Sequence, residues 1–168
     1  IVFKWKKAAN ASGYKIYRRT GNSSKWVNIA TVSGSNTLVY TDGSVKAGTM
    51  YTYTVRAYKG SALSAYNKNG SRIVRLTAPV QYKPSSKASG KLTVRWKKAV
   101  GASGYQIQYA VSRSMRGART VSTSALTRTL SGLKKGSTYY VRIRAYKKVS
   151  GKTYYGAWSS VKNAKVRK

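Results

Sequence analysis

Hydrophobic and polar residues alternate with a period of two along short stretches of this chain. In "KLTVRW" (Lys91–Trp96), Leu92, Val94 and Trp96 alternate with Thr93 and Arg95. In "YYVRIRAY" (Tyr139–Tyr146), Tyr139, Val141, Ile143 and Ala145 fall on one face and Tyr140, Arg142, Arg144 and Tyr146 on the other. "GYKIY" and "GYQIQY" set Tyr14 and Ile16, and then Tyr105, Ile107 and Tyr109, to one side. A two-residue period rich in β-branched and aromatic residues predicts half-buried strands. Gly, Ser and Asn clusters punctuate these runs, and no stretch carries helical periodicity.

The pattern occurs twice. "WKKAANASGYKIYRR" (Trp5–Arg19) returns as "WKKAVGASGYQIQYA" (Trp96–Ala110), and "GTMYTYTVRAYK" (Gly48–Lys59) as "GSTYYVRIRAYK" (Gly136–Lys147). "SAY" at Ser64–Tyr66 matches "GAW" at Gly156–Trp158. Length varies only between these blocks, as loops between strands permit. Several short strands per repeat predict an all-β chain of two antiparallel sandwiches.

Composition at first sight opposes a folded core. Leu, Ile, Val and Phe make up under a fifth of the 168 residues, and the formal net charge is +33, a combination associated with disorder. The 15 Tyr and 4 Trp tip the balance. Each removes roughly 150–250 Å² from water when buried, and they recur in register. Trp5, Tyr14, Tyr51, Trp96, Tyr105 and Tyr139 are therefore expected in the cores, with the small residues between Trp and Tyr forming a turn.

The repeated motifs resemble the fibronectin type III family, in the bacterial form carried by secreted and surface proteins. The resemblance lies in Trp5 and Trp96, in "ASGY", and in "LKKGSTYYVRIRAY", which is similar to the family's Leu-x-Pro-Gly-Thr-x-Tyr-x-Val pattern. Leu133, Gly136 and Tyr139 match that pattern, while Lys135 stands at its proline; the first copy has Val45 for the leucine and Ala47 for the proline. The resemblance implies two tandem immunoglobulin-like sandwiches, residues 1–76 and 77–168. Strand A would be truncated in the first or supplied from upstream. It also implies that Tyr51 and Tyr139 make tyrosine corners, bonding upstream backbone. "RIVRLTAP" (Arg72–Pro79) reads as a short linker. Ile1 falls inside a strand-like run, so the chain reads as a C-terminal fragment, and "VKNAKVRK" as a natural end.

Enzyme chemistry has almost nothing to work with. There is no His, no Glu and no Cys, and the single acid is Asp42. General acid–base catalysis, paired carboxylates and metal binding are therefore not expected, and no cofactor is implied. Asp42 lies in "YTDGS", where its side chain can accept a backbone N–H across a turn. A Ser–Lys nucleophile has no accompanying elbow motif. The Asn-x-Ser triplets at Asn10, Asn22 and Asn69 suit chance in a chain rich in both residues. No apolar run approaches the ~20 residues of a membrane span, so no membrane insertion is expected.

What remains is cationic charge interleaved with aromatics. Strands C and F would present Lys15, Tyr17, Arg19, Arg56 and Tyr58 outward in the first copy. In the second they would present Arg142 and Arg144, with Gln106 and Gln108 in the positions of Lys15 and Tyr17. The loop "SRSMRGAR" adds Arg113, Arg116 and Arg119 as a mobile basic segment. Such residues suit anionic polymers, with Arg forks on phosphate or sulfate and Tyr rings on sugars or bases. They equally suit ordinary cross-strand pairing.

The sequence thus predicts a non-catalytic extracellular binding or spacer module of a bacterial surface or secreted protein. Its partners would be anionic polymers (cell-wall polymer, nucleic acid or acidic glycan) and upstream domains of the same polypeptide. A purely structural spacer or filament module, an adhesin-like ligand for a host protein, and an engineered acid-free surface are the competing readings.

Overall fold

The β-branched and aromatic runs form fourteen strands and no helix in the computed structural model, which describes residues 1–168. Every strand pair is antiparallel. The chain divides into two compact units, Ile1–Arg75 and Leu76–Lys168.

The first unit contains β1 (Val2–Lys4), β2 (Gly13–Thr20), β3 (Val27–Ser33), β4 (Val39–Thr41), β5 (Met50–Lys59), β6 (Ala62–Leu63) and β7 (Ser71–Val74). β1 and β4 form a two-stranded sheet. The other sheet runs β3-β2-β5, with β6 and β7 both pairing to β5. Between the sheets lie Ile16, Tyr51 and Tyr53, with Phe3, Trp5, Ile29, Val32 and Tyr40 packed against them. The residues read as a linker begin inside this unit, since Arg72, Ile73 and Val74 belong to β7, which completes the sheet.

The second unit repeats the arrangement with β8 (Leu92–Arg95), β9 (Gly104–Ala110), β10 (Arg119–Thr123), β11 (Thr127–Leu130), β12 (Thr138–Val149), β13 (Lys152–Trp158) and β14 (Lys162–Lys165). β8 pairs with β11, and the larger sheet runs β10-β9-β12-β13 with β14 also on β12. Isolated bridges from Gln81 to Trp96 and from Ser85 to Thr93 extend the small sheet. Leu92, Val94, Ile107, Val141, Ile143 and Ala145 are fully buried between the sheets, so the alternation read in "KLTVRW" and "YYVRIRAY" marks the core face.

The repeated Trp–turn–Tyr motif has one construction in both units. Trp5 tilts against Tyr14 with ring centroids 5.4 Å apart, and Trp96 against Tyr105 at 5.3 Å. The Tyr14 hydroxyl accepts the Ala8 N–H at 3.1 Å, and the Tyr105 hydroxyl accepts the Ala99 N–H at 2.9 Å. The tyrosine thus closes the turn that precedes its own strand. The glycine before it is required by close approach. A Cβ on Gly13 would run into the Val32 carbonyl oxygen and meet the Tyr58 hydroxyl at 2.6 Å; one on Gly104 would meet the Tyr146 hydroxyl at 2.5 Å. Tyr58 and Tyr146 are the cross-strand partners of these glycines.

The expected core residues are not equally enclosed. Tyr14, Tyr51, Trp96 and Tyr105 are buried, whereas Trp5 and Tyr139 are only half-buried. Trp96 has Gln81 bridged alongside it. Trp5 follows the end of a two-stranded sheet with no third strand beside it. The Tyr139 ring rests on Tyr109 at the start of β12, and its hydroxyl accepts the Lys134 N–H at 3.2 Å. Tyr51 accepts the Lys46 N–H at 2.8 Å in the matching place.

Candidate polyanion-binding face

Asp42 is buried, with 1% of its surface exposed. Its Oδ1 accepts the Ser44 N–H and hydroxyl at 3.0 and 2.8 Å, the turn bonds that "YTDGS" suggests. Its Oδ2 accepts the Tyr53 hydroxyl at 2.7 Å and pairs with the Arg18 guanidinium at 2.6 Å. Burial acts to raise its pKa, but the Tyr53, Ser44 and Arg18 hydrogen bonds outweigh it and hold the carboxyl at about 2. Burial and the adjacent carboxylate push the Tyr53 phenol well above its ordinary range. Asp42 raises the Arg18 pKa against the opposing effect of burial.

Arg18 alternates with Tyr17 and Arg19 along β2, on the side of Tyr14 and Ile16. It therefore belongs with the interior and not with the basic face. The chain's only acidic side chain is thus consumed inside the first unit, and the other Lys and Arg side chains have no acidic side chain to pair with.

On the outward face of the first unit, Lys15 lies directly across from Arg56, Tyr17 from Thr54, Arg19 from Thr52, and Gly13 from Tyr58. The structure therefore gathers Lys15, Tyr17, Arg19, Arg56 and Tyr58 onto one face. Lys15 opposite Arg56 is a like-charge pair, which disfavours the sheet unless one charge turns away. Arg56 does so: its Nε donates to the Ser64 carbonyl at 2.6 Å, and its guanidinium lies 5.5 Å from the Tyr66 ring centroid.

Two aromatics not singled out in the sequence complete this face. Trp26, at the end of the β2–β3 hairpin, lies under the Arg19 guanidinium at 4.8 Å and meets Tyr66 edge-on at 6.1 Å. Tyr17, Trp26, Arg56 and Tyr66 enclose a recess of about 110 Å³. The match of "SAY" with "GAW" was the sequence signal for Tyr66; nothing in a lone "SSKWVN" pointed to Trp26.

The second unit places different chemistry on the same lattice. Gln106 faces Arg144, and Gln108 faces Arg142. Arg142 donates through Nε and Nη2 to the Gln108 Oε1 at 3.0 and 2.7 Å, and Arg144 does the same to Gln106 at 2.8 and 2.6 Å. The arginines also stack on aromatics from β13. Arg142 lies 4.6 Å from Trp158, and Arg144 lies 4.4 Å from Trp158 and 3.9 Å from Tyr155. Burial, reinforced by the neighbouring Arg142 charge and opposed by Tyr155, lowers the Arg144 pKa from its ordinary value. Two donors of each guanidinium are therefore occupied within the protein, and aromatic rings lie against both side chains.

The basic loop does not join this face. Arg119 is in register with Tyr109, a core-facing residue, so it lies on the opposite side of the sheet from Arg142 and Arg144. Arg113 and Arg116 flank Met115, which is buried and has φ 63°. Turn bonds from Met115 to Ser112 and from Ala118 to Met115 close the segment. The loop thus turns around one buried methionine, with its arginines to either side.

With the geometry in hand, comparison with known proteins places the chain. The fibronectin type III domain family matches residues 77–161, and the chain belongs to that family. Its members are typically non-catalytic binding or spacer modules, found outside cells or on their surfaces. Similar solved structures include the crystal structure of the chicken CNTN1 FN1-FN3 domains, at 20% identity and a TM-score of 0.47 over 99% of this chain. This chain spans 61% of that one. They also include solution structures of the fn3 domain of human contactin 1, at 20% identity and a TM-score of 0.48, covering 55% of this chain and 78% of that one.

Proposed function

We propose that this chain is a non-catalytic extracellular binding module that holds anionic polymers, chiefly through the outward β3-β2-β5 face of its first unit. The observation that carries this reading is the fate of the single acid. Asp42 is buried and paired with Arg18, so the surface carries cations without intervening carboxylates. Polymer binding by such a surface is driven by release of condensed counterions and needs no sequence-reading contacts. Lys15, Tyr17, Arg19, Arg56 and Tyr58 supply charge and ring surface on the first unit. Arg113, Arg116 and Arg119 add diffuse charge, and Arg142 and Arg144, like Arg56, contribute less because donors of each are occupied within the protein.

The resemblance of both copies to bacterial surface-borne members supports placing the protein at a bacterial surface, with cell-wall polymer, nucleic acid or acidic glycan as ligand. The test is retention on immobilised heparin and on double-stranded DNA across a salt series. The expected result is a linear fall of log affinity with log salt concentration. Absence of binding at ~50 mM salt would overturn the reading.

A further inference from the structure

The outward face of the first unit contains one row that differs from its counterpart in kind. Arg19 on β2, Thr52 on β5 and Arg72 on β7 are successive cross-strand partners. Cross-strand partners share a face, so two arginines flank one threonine, their backbones two strand spacings, roughly 10 Å, apart. Thr52 is 1% exposed and forms a floor. Gly70, with φ 63°, fits between Thr52 and Trp26, where a Cβ would meet both at under 3 Å. The row opens into a recess of about 170 Å³ whose other lining residues are Met50 of β5 and Gly21, Asn22, Ser23 and Ser24 of the β2–β3 turn.

Its donors are largely unspent. Arg19 makes one long bond, 3.4 Å to the Asn69 carbonyl, and stacks on Trp26. The side chains of Arg72, Asn22 and Ser24 make no hydrogen bond within the protein. No carboxylate is near enough to compete, since Asp42 is bound to Arg18 on the inner side. The same row in the second unit reads Ala110, Tyr140, Asn163. It has no cation, and a tyrosine replaces the small floor.

We propose that the Arg19–Thr52–Arg72 recess is a site for a single tetrahedral oxyanion, the sulfate or phosphate ester of a polymer unit. Two guanidiniums approaching from opposite sides, with hydroxyl and amide donors between them, match several acceptor oxygens pointing in different directions. A planar carboxylate is served by one fork. This site rests on the polymer-binding reading and adds to it a discrete, saturable contact within an otherwise diffuse surface.

The experiment is a titration of the isotope-labelled chain with sodium sulfate, inorganic phosphate or acetate, with ionic strength held constant by sodium chloride. Amide and Arg Nε–H resonances are followed. Saturable shifts at Gly21–Ser24, Thr52, Arg19 and Arg72 are expected with sulfate or phosphate, and the stronger of the two names the ester. Arg72→Ala should weaken that binding about tenfold or more. Its side chain has no partner in the protein, so the fold is not at stake. Unsaturable shifts spread over all basic residues, acetate binding as tightly, or an unchanged titration in Arg72→Ala would each overturn the site. Heparin retention measured alongside separates the two readings. Retention without a saturable sulfate or phosphate site removes this inference and leaves the polymer reading standing.

Discussion

Asp42 shows how much one residue decides in a chain with a single acid. The sequence revealed its turn, because the Asx motif and the following glycine are local. It did not reveal the ion pair, because Arg18 lies 24 residues away and Tyr53 lies 11 away. With a folded pKa of about 2 against an ordinary 3.8, ionised Asp42 stabilises the fold by about 2 kcal/mol. The depressed pKa fixes the sign: this contribution is complete above pH 3.8 and is lost as pH falls through about 2. No other side chain has an ordinary pKa below ~10. Urea midpoints should therefore be flat from ~pH 5 to 7 and fall only below ~pH 4. A steady decline across neutral pH would contradict this account. Arg18→Ala should destabilise the first unit by ~2–4 kcal/mol, because it leaves a buried carboxylate without its cation. Adding Asp42→Asn should recover much of that loss, and a double variant no more stable than Arg18→Ala would show that the pair is not what matters. Gly13→Ala should cost at least ~2 kcal/mol, as a Cβ there meets backbone oxygen rather than a movable side chain; chemical denaturation measures it.

At the level of strands, the inward faces were legible and the outward ones were not. Val141, Ile143 and Ala145 are buried because a two-residue period dictates which side faces the opposing sheet. In β5 the period fails: Met50, Tyr51, Thr52, Tyr53 and Thr54 are all buried. Thr52 has Gly70, distant in sequence, packed against its methyl group, and alternation carries no information about such covers. The likeness of the two β5-type strands also concealed their different partners. Gln106 and Gln108 stand in the positions of Lys15 and Tyr17, yet they hold Arg144 and Arg142 in place. Gln108→Ala should cost ~1 kcal/mol or more, through the part-buried Arg142 donors left unmatched. Trp158→Ala, which uncovers both guanidiniums, should cost more. Equal and negligible shifts in the thermal midpoint for both variants would contradict a structural role for this ladder.

For the whole molecule, the family and the charge balance answer different questions. The repeat, the Trp–turn–Tyr motif and the tyrosine corners belong to the fold, and the fold by itself names no ligand. The charge was legible as a total, but its availability was not. That depends on which guanidiniums are already bonded within the protein. The most direct test of the central claim compares two neutralised variants on double-stranded DNA: Lys15→Ala/Arg19→Ala/Arg72→Ala in the first unit, and Arg142→Ala/Arg144→Ala in the second. If the first face is the one that engages polymer, the triple variant should lower the slope of log affinity against log salt by about 2–3. The double variant should lower it by less than about 1. Equal loss per charge in the two variants would contradict a first-unit face and leave only an undirected attraction spread over the whole surface.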